Sequence, residues 1–81
     1  MRELTPVPAE QFKRFVEYIQ CEARGRKGNT LVYWRGDLHQ PITFVETGMV
    51  PVLHIRTMLR ILGMTQEKYL AMMDTIVPPE C

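Results

Sequence analysis

Four side chains of this 81-residue chain could ligate a metal or act in covalent chemistry: Cys21, His39, His54 and Cys81. Structural zinc sites are recognisable in sequence because their ligands come in closely spaced pairs, and these four residues have no such spacing. Nucleophilic catalysis needs a base beside the nucleophile, yet the chain has no serine, and neither histidine is a sequence neighbour of a cysteine. A pair of Cys21 with a histidine could form only in the fold. We therefore expect no enzyme activity, no cofactor and no metal.

Four basic residues, Arg24, Arg26, Lys27 and Arg35, follow one another with no acidic residue between them. Glycines beside them would let the backbone approach phosphate, so this stretch is the strongest indication of nucleic-acid binding in the chain. A charged loop after a helix is also typical of an ordinary solvated surface. A run of basic residues without a binding motif is weak evidence for nucleic-acid binding. Binding of nucleic acid through these four side chains is therefore the alternative interpretation.

The segment 52–76 predicts two helices separated by a glycine, which is the rhythm of a helix-turn-helix. Its run Leu-Gly-Met-Thr-Gln-Glu resembles the start of the DNA-binding domain of phage repressors, and this resemblance implies a transcriptional regulator. The chain departs from that pattern in two ways. Bulky Leu59 stands four residues before the turn glycine, and the second helix offers two acidic residues against one lysine. A plain helical hairpin is the favoured interpretation.

Two apolar stretches predict an antiparallel β-hairpin, residues 30–35 paired with residues 42–47 and joined by a loop at 36–41. Because successive strand residues point to opposite faces, large side chains lie on both faces of this hairpin. The helices of so short a chain can cover only one face. The uncovered face carries one of two sets: Val32, Trp34 and Val45, or Leu31, Tyr33, Ile42 and Phe44. An uncovered apolar face of this kind indicates a partner.

Helical periodicity predicts three helices, at residues 8–24, 51–62 and 66–76. The first helix is expected to stop at Gly25, because glycine adopts the left-handed conformation of a helix C-cap at the lowest energetic cost. On that helix Cys21 projects almost opposite the apolar stripe, so we expect a partly exposed thiol of low reactivity. In the second helix Leu53 and Ile61 project among basic and polar residues. These two side chains are a second indication of a contact surface.

Composition is that of an ordinary globular domain, with 46% apolar and 23% charged residues, which excludes a disordered chain. A net charge of +1 is too close to neutral to indicate a nucleic-acid or membrane partner by itself. We expect one domain over residues 1–81, with an extended lead-in at 1–7 and a tail at 77–81. The chain has no apolar run of membrane-spanning length, no signal-peptide core and no disulfide-type cysteine pattern, so we expect a cytoplasmic protein with reduced thiols.

Together these patterns predict a small α+β domain of order α-β-β-α-α, in which a two-stranded antiparallel hairpin packs against the helices. The predicted function is recognition of another protein as an inhibitor, adaptor or accessory regulator, of the kind that phages and mobile elements encode. A core of this size is marginal without help, so we also expect a homodimer that forms through this same contact surface. The residues expected to contact the partner are Tyr33, Trp34, Arg35, Leu53, Arg56, Arg60 and Ile61.

Overall fold

The structure is a computed structural model that describes residues 3–76 as an α+β domain. Its elements in chain order are β1 (Val7–Pro8), α1 (Ala9–Tyr18), β2 (Glu22–Lys27), β3 (Thr30–Trp34), β4 (Ile42–Val45), β5 (Met49–Val50), α2 (Val52–Leu62) and α3 (Gln66–Ile76). The predicted α+β class and the antiparallel pairing of β3 with β4 are confirmed. The predicted tail at 77–81 lies outside the described residues.

The first helix ends after position 18, so the predicted end at position 24 was wrong. The backbone N–H of Gln20 donates to the carbonyl of Glu17, and the N–H of Cys21 donates to the carbonyl of Val16, both at 3.0 Å. These two bonds form a Schellman motif, with Gln20 in the left-handed conformation at φ 70°. Glycine normally occupies that position, since it has no Cβ to clash. The sequence therefore carries no recognisable stop signal where α1 ends.

We expect Gln20→Gly to raise the free energy of unfolding by about 1 kcal/mol, because glycine takes the left-handed conformation without the steric cost of a Cβ. The reciprocal variant is Gly63→Gln, since α2 ends in the same two-bond motif around Gly63 at φ 66°. A Cβ at Gly63 would meet nothing within 4 Å, so this variant should lose about 1 kcal/mol through the backbone alone. Urea denaturation followed by circular dichroism measures both variants. A destabilised Gln20→Gly protein would show that the glutamine is not strained.

Residues 22–27 form an edge strand, and not a helix end followed by a loop. The sheet order is β2-β3-β4, all antiparallel, so the predicted two-stranded hairpin is part of a three-stranded sheet. β2 is exposed along its whole length and has a register shift between Ala23 and Gly25. Its mostly charged sequence has no alternating apolar pattern, so pairing with β3 specifies this strand more than its own propensity does. Charges and bulges on an edge strand also oppose pairing with other chains.

The core lies on one face of this sheet. Cross-strand partners lie on the same face of a sheet, as Tyr33 and Ile42 do. Both of these side chains, and that of Phe44 on β4, are buried against the helices. The Phe44 ring lies 5.0 Å from the ring of Phe12 on α1 and stacks on the ring of Tyr33 at 5.6 Å. The outer face of the sheet is therefore the one that carries Val32 and Trp34. The structure thus decides between the two faces that the sequence left open.

The short pairing of β1 with β5 positions the start of α2. Val7 pairs with Val50, and the N–H of Ala9 donates to the carbonyl of Gly48 at 2.9 Å. This connection ties the beginning of α1 to the segment that leads into α2. The far end of α2 continues into α3, which begins with a bond from the N–H of Lys68 to the Thr65 hydroxyl oxygen at 3.2 Å. Hydrogen bonds therefore fix the chain both before and after α2.

Candidate protein-contact surface

Three of the predicted contact residues, Leu53, Arg56 and Arg60, lie on one side of α2. Their spacing of three and four residues places them along a single stripe of the helix. All three are exposed, and 78% of the Leu53 surface is accessible. The opposite side of α2 packs into the core through Ile55, Met58 and Leu59. We call Leu53, Arg56 and Arg60 together the α2 surface.

The α2 surface is basic and has no internal counter-charge. α2 contains no acidic residue, and within residues 3–76 neither Arg56 nor Arg60 forms an ion pair. Two arginines four residues apart on a helix repel each other by about 0.2 to 0.5 kcal/mol. Arg60 lies in the last turn, where a cation interacts favourably with the helix dipole, but Arg56 lies one turn earlier. Within the isolated domain, Arg56 therefore lacks the favourable interaction with the helix dipole that Arg60 has.

Ile61 is less exposed than the sequence predicted, whereas Met49 is exposed although the sequence analysis gave it no role. Ile61, predicted as a contact, is half-buried and packs against the core. Met49 was not predicted as a contact, yet 53% of its surface is accessible, four residues before Leu53 in the chain. The available signal was the alternation in β5, where Val50 points inward and its neighbour therefore points outward. Met49 adds exposed apolar surface to the segment that leads into α2.

Tyr33 lies in the core, so its prediction as an exposed contact was wrong. Only 2% of its surface is accessible, and its hydroxyl group donates to Oε2 of Glu17 at 3.3 Å. Burial, together with the charge of the Glu17 carboxylate, raises the pKa of the phenol. Tyr33 therefore contributes to the packing of β3 on α1 and has no surface to offer a partner.

Trp34 lies on the outer face of the sheet, but it is half-buried. It lines a shallow hollow of about 360 Å³ with Arg24, Val32 and Pro41. These neighbours cover part of the ring, so the outer face is less exposed than the sequence predicted. None of the residues of the α2 surface lines this hollow, which is formed by β2, β3 and the residue that precedes β4. The predicted contact residues thus form two surfaces rather than one.

Arg35 is occupied by contacts within the domain. Its Nη1 donates to the carbonyl oxygen of Ile19 at the end of α1 at 2.9 Å, and its Nη2 donates to Oδ2 of Asp37 at 3.0 Å. The hydrogen bond from Arg35 lowers the pKa of the Asp37 carboxyl group, and the same bond raises the pKa of the guanidinium. This cation holds the β3–β4 loop against the end of α1, which is a structural role.

The four cations of the alternative, nucleic-acid interpretation do not form one patch. Arg26 pairs with Glu46 and Arg35 pairs with Asp37. Arg24 belongs to the Trp34 hollow, while Lys27 stands at the end of β2. Carboxylates thus accompany two of the four positive charges, which reduces the attraction of this region for phosphate. In the helix pair 52–76, the second helix faces the core with Tyr69 and Met73.

Cys21, His39 and His54 lie in three different kinds of surroundings. Cys21 is buried, contrary to the expected partial exposure, because α1 ends before it and the helical projection no longer applies. Burial raises the pKa of its thiol, which disfavours the reactive thiolate. Among residues 3–76, no group of three or more histidine, cysteine or acidic side chains is placed to hold a metal. His39 is exposed in a loop and His54 is half-buried on α2, and Cys81 lies outside the described residues.

Comparison with known proteins finds no matching family model, no matching curated protein and no matching solved structure. In the part of the chain that the structure describes, none of the helices has the length and apolar character needed to cross a membrane. The interpretation of the α2 surface therefore rests on its own geometry.

Proposed function

We propose that this protein is a non-enzymatic interaction module and that another protein binds its α2 surface. The observation that supports this proposal is Leu53, an apolar side chain with 78% of its surface in water on the exposed side of α2. Burying a leucine side chain against a partner contributes about 1.5 to 3 kcal/mol. A module of this kind acts through occupancy of its partner, as an inhibitor, adaptor or accessory regulator. The buried free thiol of Cys21 supports a reducing compartment, and we propose the cytoplasm.

Leu53 also favours a protein partner over nucleic acid. An exposed leucine gains nothing from a phosphate backbone, whereas aliphatic side chains are common at the centre of protein interfaces. The cations that would serve a nucleic acid at 24–35 are divided between two ion pairs and two separate positions. The apolar side chain at the start of the arginine stripe is therefore the feature that distinguishes the two interpretations.

A second copy of this chain is a poor fit to the α2 surface. In a symmetric dimer the same patch occurs on both sides, which would bring four arginines, Arg56 and Arg60 of each copy, into one interface. Like charges brought together in an interface oppose association. We therefore propose a different protein as the partner of the α2 surface.

The proposal is tested by quantitative affinity capture from the soluble extract of the source cells. Wild-type protein is compared with Leu53→Ser, and Tyr18→Ser serves as the matched control because Tyr18 is also a large exposed side chain, at 54%. We expect at least one protein to be retained by the wild type and by Tyr18→Ser. The amount of that protein retained by Leu53→Ser should be about tenfold lower. Equal retention by all three proteins would contradict a binding role for the α2 surface.

A further inference from the structure

We infer that the partner segment bound by the α2 surface is an acidic amphipathic helix, with an apolar side chain packed on Leu53 and carboxylates paired with Arg56 and Arg60. This inference rests on the proposed function and adds the chemistry of the partner. It draws on three observations: the charge of the α2 surface, the repulsion within it, and its spacing along the helix axis.

The charge of α2 has one sign. Its residues Val52–Leu62 include two arginines and a half-buried histidine but no acid. Glu46, the acidic residue that precedes α2 in the chain, is paired with Arg26 of β2. A carboxylate from a partner would thus meet two arginines that have no counter-charge within residues 3–76. Arginine pairs with carboxylates through two parallel hydrogen bonds, which makes such contacts strong and directional.

Repulsion between Arg56 and Arg60 makes this pairing more favourable in the complex than in the free domain. The two side chains are four residues apart on one helix, where like charges destabilise the isolated helix. A partner carboxylate placed between them attracts both cations and so outweighs the repulsion between them. The free protein therefore carries an unfavourable interaction that binding relieves.

The spacing of the α2 surface suits a helix rather than an irregular segment. Arg56 and Arg60 lie about 4.5 Å and about 10.5 Å beyond Leu53 along the helix axis, at 1.5 Å per residue. A helix packed alongside α2 repeats its side chains at the same rise, so one apolar residue and two acids one and two turns away match all three positions. Exposed Met49, before the start of α2, offers further apolar contact to such a helix.

The test uses three fluorescein-labelled helical peptides of equal length, each with one leucine stripe flanked by glutamate, glutamine or lysine. Fluorescence anisotropy is followed at about 0.15 M salt with the full-length protein. We expect the glutamate peptide to bind about tenfold more tightly than the glutamine peptide, and the lysine peptide to bind most weakly. Arg56→Glu should weaken the glutamate peptide about tenfold and strengthen the lysine peptide. The control Lys68→Glu changes the net charge equally, at an exposed position on α3, and should change each affinity less than threefold.

Folding is checked separately, because loss of structure would also abolish binding. Arg56→Glu replaces a like-charge pair by a glutamate four residues before an arginine, which is the favourable order on a helix. Its thermal midpoint should therefore be no lower than that of the wild type. A variant that melts no earlier yet loses the glutamate peptide would assign Arg56 to binding.

The outcomes separate this inference from the proposed function. Equal binding of all three peptides, with each weakened by Leu53→Ser, would overturn the acidic partner and leave the apolar contact in place. No dependence on either Leu53 or Arg56 would overturn both. A 15-nucleotide single strand and a duplex of the same sequence are titrated in parallel. If the affinity for either nucleic acid is lost in Arg56→Glu but unchanged in Leu53→Ser, the arginines bind phosphate. That result would contradict the inference.

Discussion

Phe44→Ala should lower the free energy of unfolding by about 3 to 5 kcal/mol. The Phe44 side chain has no accessible surface, and its ring contacts the rings of Phe12 and Tyr33. Truncation removes this burial and leaves a cavity between the sheet and α1. A domain of this length has a total stability of about 4 to 12 kcal/mol, so the variant should be partly or wholly unfolded at 37 °C. Urea denaturation followed by circular dichroism measures the loss.

The neighbouring variant Thr43→Ala provides the control for the orientation of the hairpin. Thr43 lies on the outer face, opposite Val32, and should lose less than about 1 kcal/mol when truncated. Trp34 is the only tryptophan of the chain and lies on that same face, so its emission reports on the outer side of the sheet in both variants. A larger loss for Thr43→Ala than for Phe44→Ala would mean that the opposite face of the hairpin is buried.

Tyr69→Phe should raise the free energy of unfolding at pH 7 by about 1 to 2 kcal/mol. Tyr69 has 2% of its surface accessible, and within residues 3–76 its hydroxyl group has no hydrogen-bond partner. Phenylalanine keeps the ring, which packs against Phe12 and Phe15, and removes the buried hydroxyl group. Tyr18→Phe is the matched control, because Tyr18 is 54% exposed and its hydroxyl group reaches water. We expect a change of less than about 0.5 kcal/mol for that control.

Tyr69→Phe should also lose less stability than the wild type as the pH rises above 10. Burial raises the pKa of Tyr69 from 10 to about 12, so between these values the unfolded chain releases the phenol proton and the folded chain retains it. Stability from this group is therefore complete below pH 10 and falls as the pH rises toward 12, by about 2 to 3 kcal/mol in total. Urea midpoints measured from pH 8 to pH 11.5 should fall more steeply for the wild type than for Tyr69→Phe. Parallel curves would show that the Tyr69 hydroxyl group is solvated.

Local signals in the sequence were sufficient for the part of the molecule that carries the α2 surface. The apolar periodicity of α2, the glycine that ends it and the threonine that caps α3 all act within a few residues. Because the sides of a helix follow from its phase, the outward position of Leu53, Arg56 and Arg60 could be predicted without knowledge of the fold. Ile61 stands at the flank of the same helix, where the neighbouring core decides its burial.

Tertiary contacts decided the rest. The end of α1 depends on Gln20 adopting a left-handed conformation that its residue type disfavours, and β2 is a strand because β3 pairs with it. The side of the hairpin that faces inward was also undetermined, because both sides are apolar and a period of two assigns side chains to faces without saying which face is covered. Packing of Phe44 against α1 made that choice, and it buried Tyr33 while leaving Trp34 outside. Periodicity determined where this chain is amphipathic, and only the arrangement of the helices determined which apolar side chains became core.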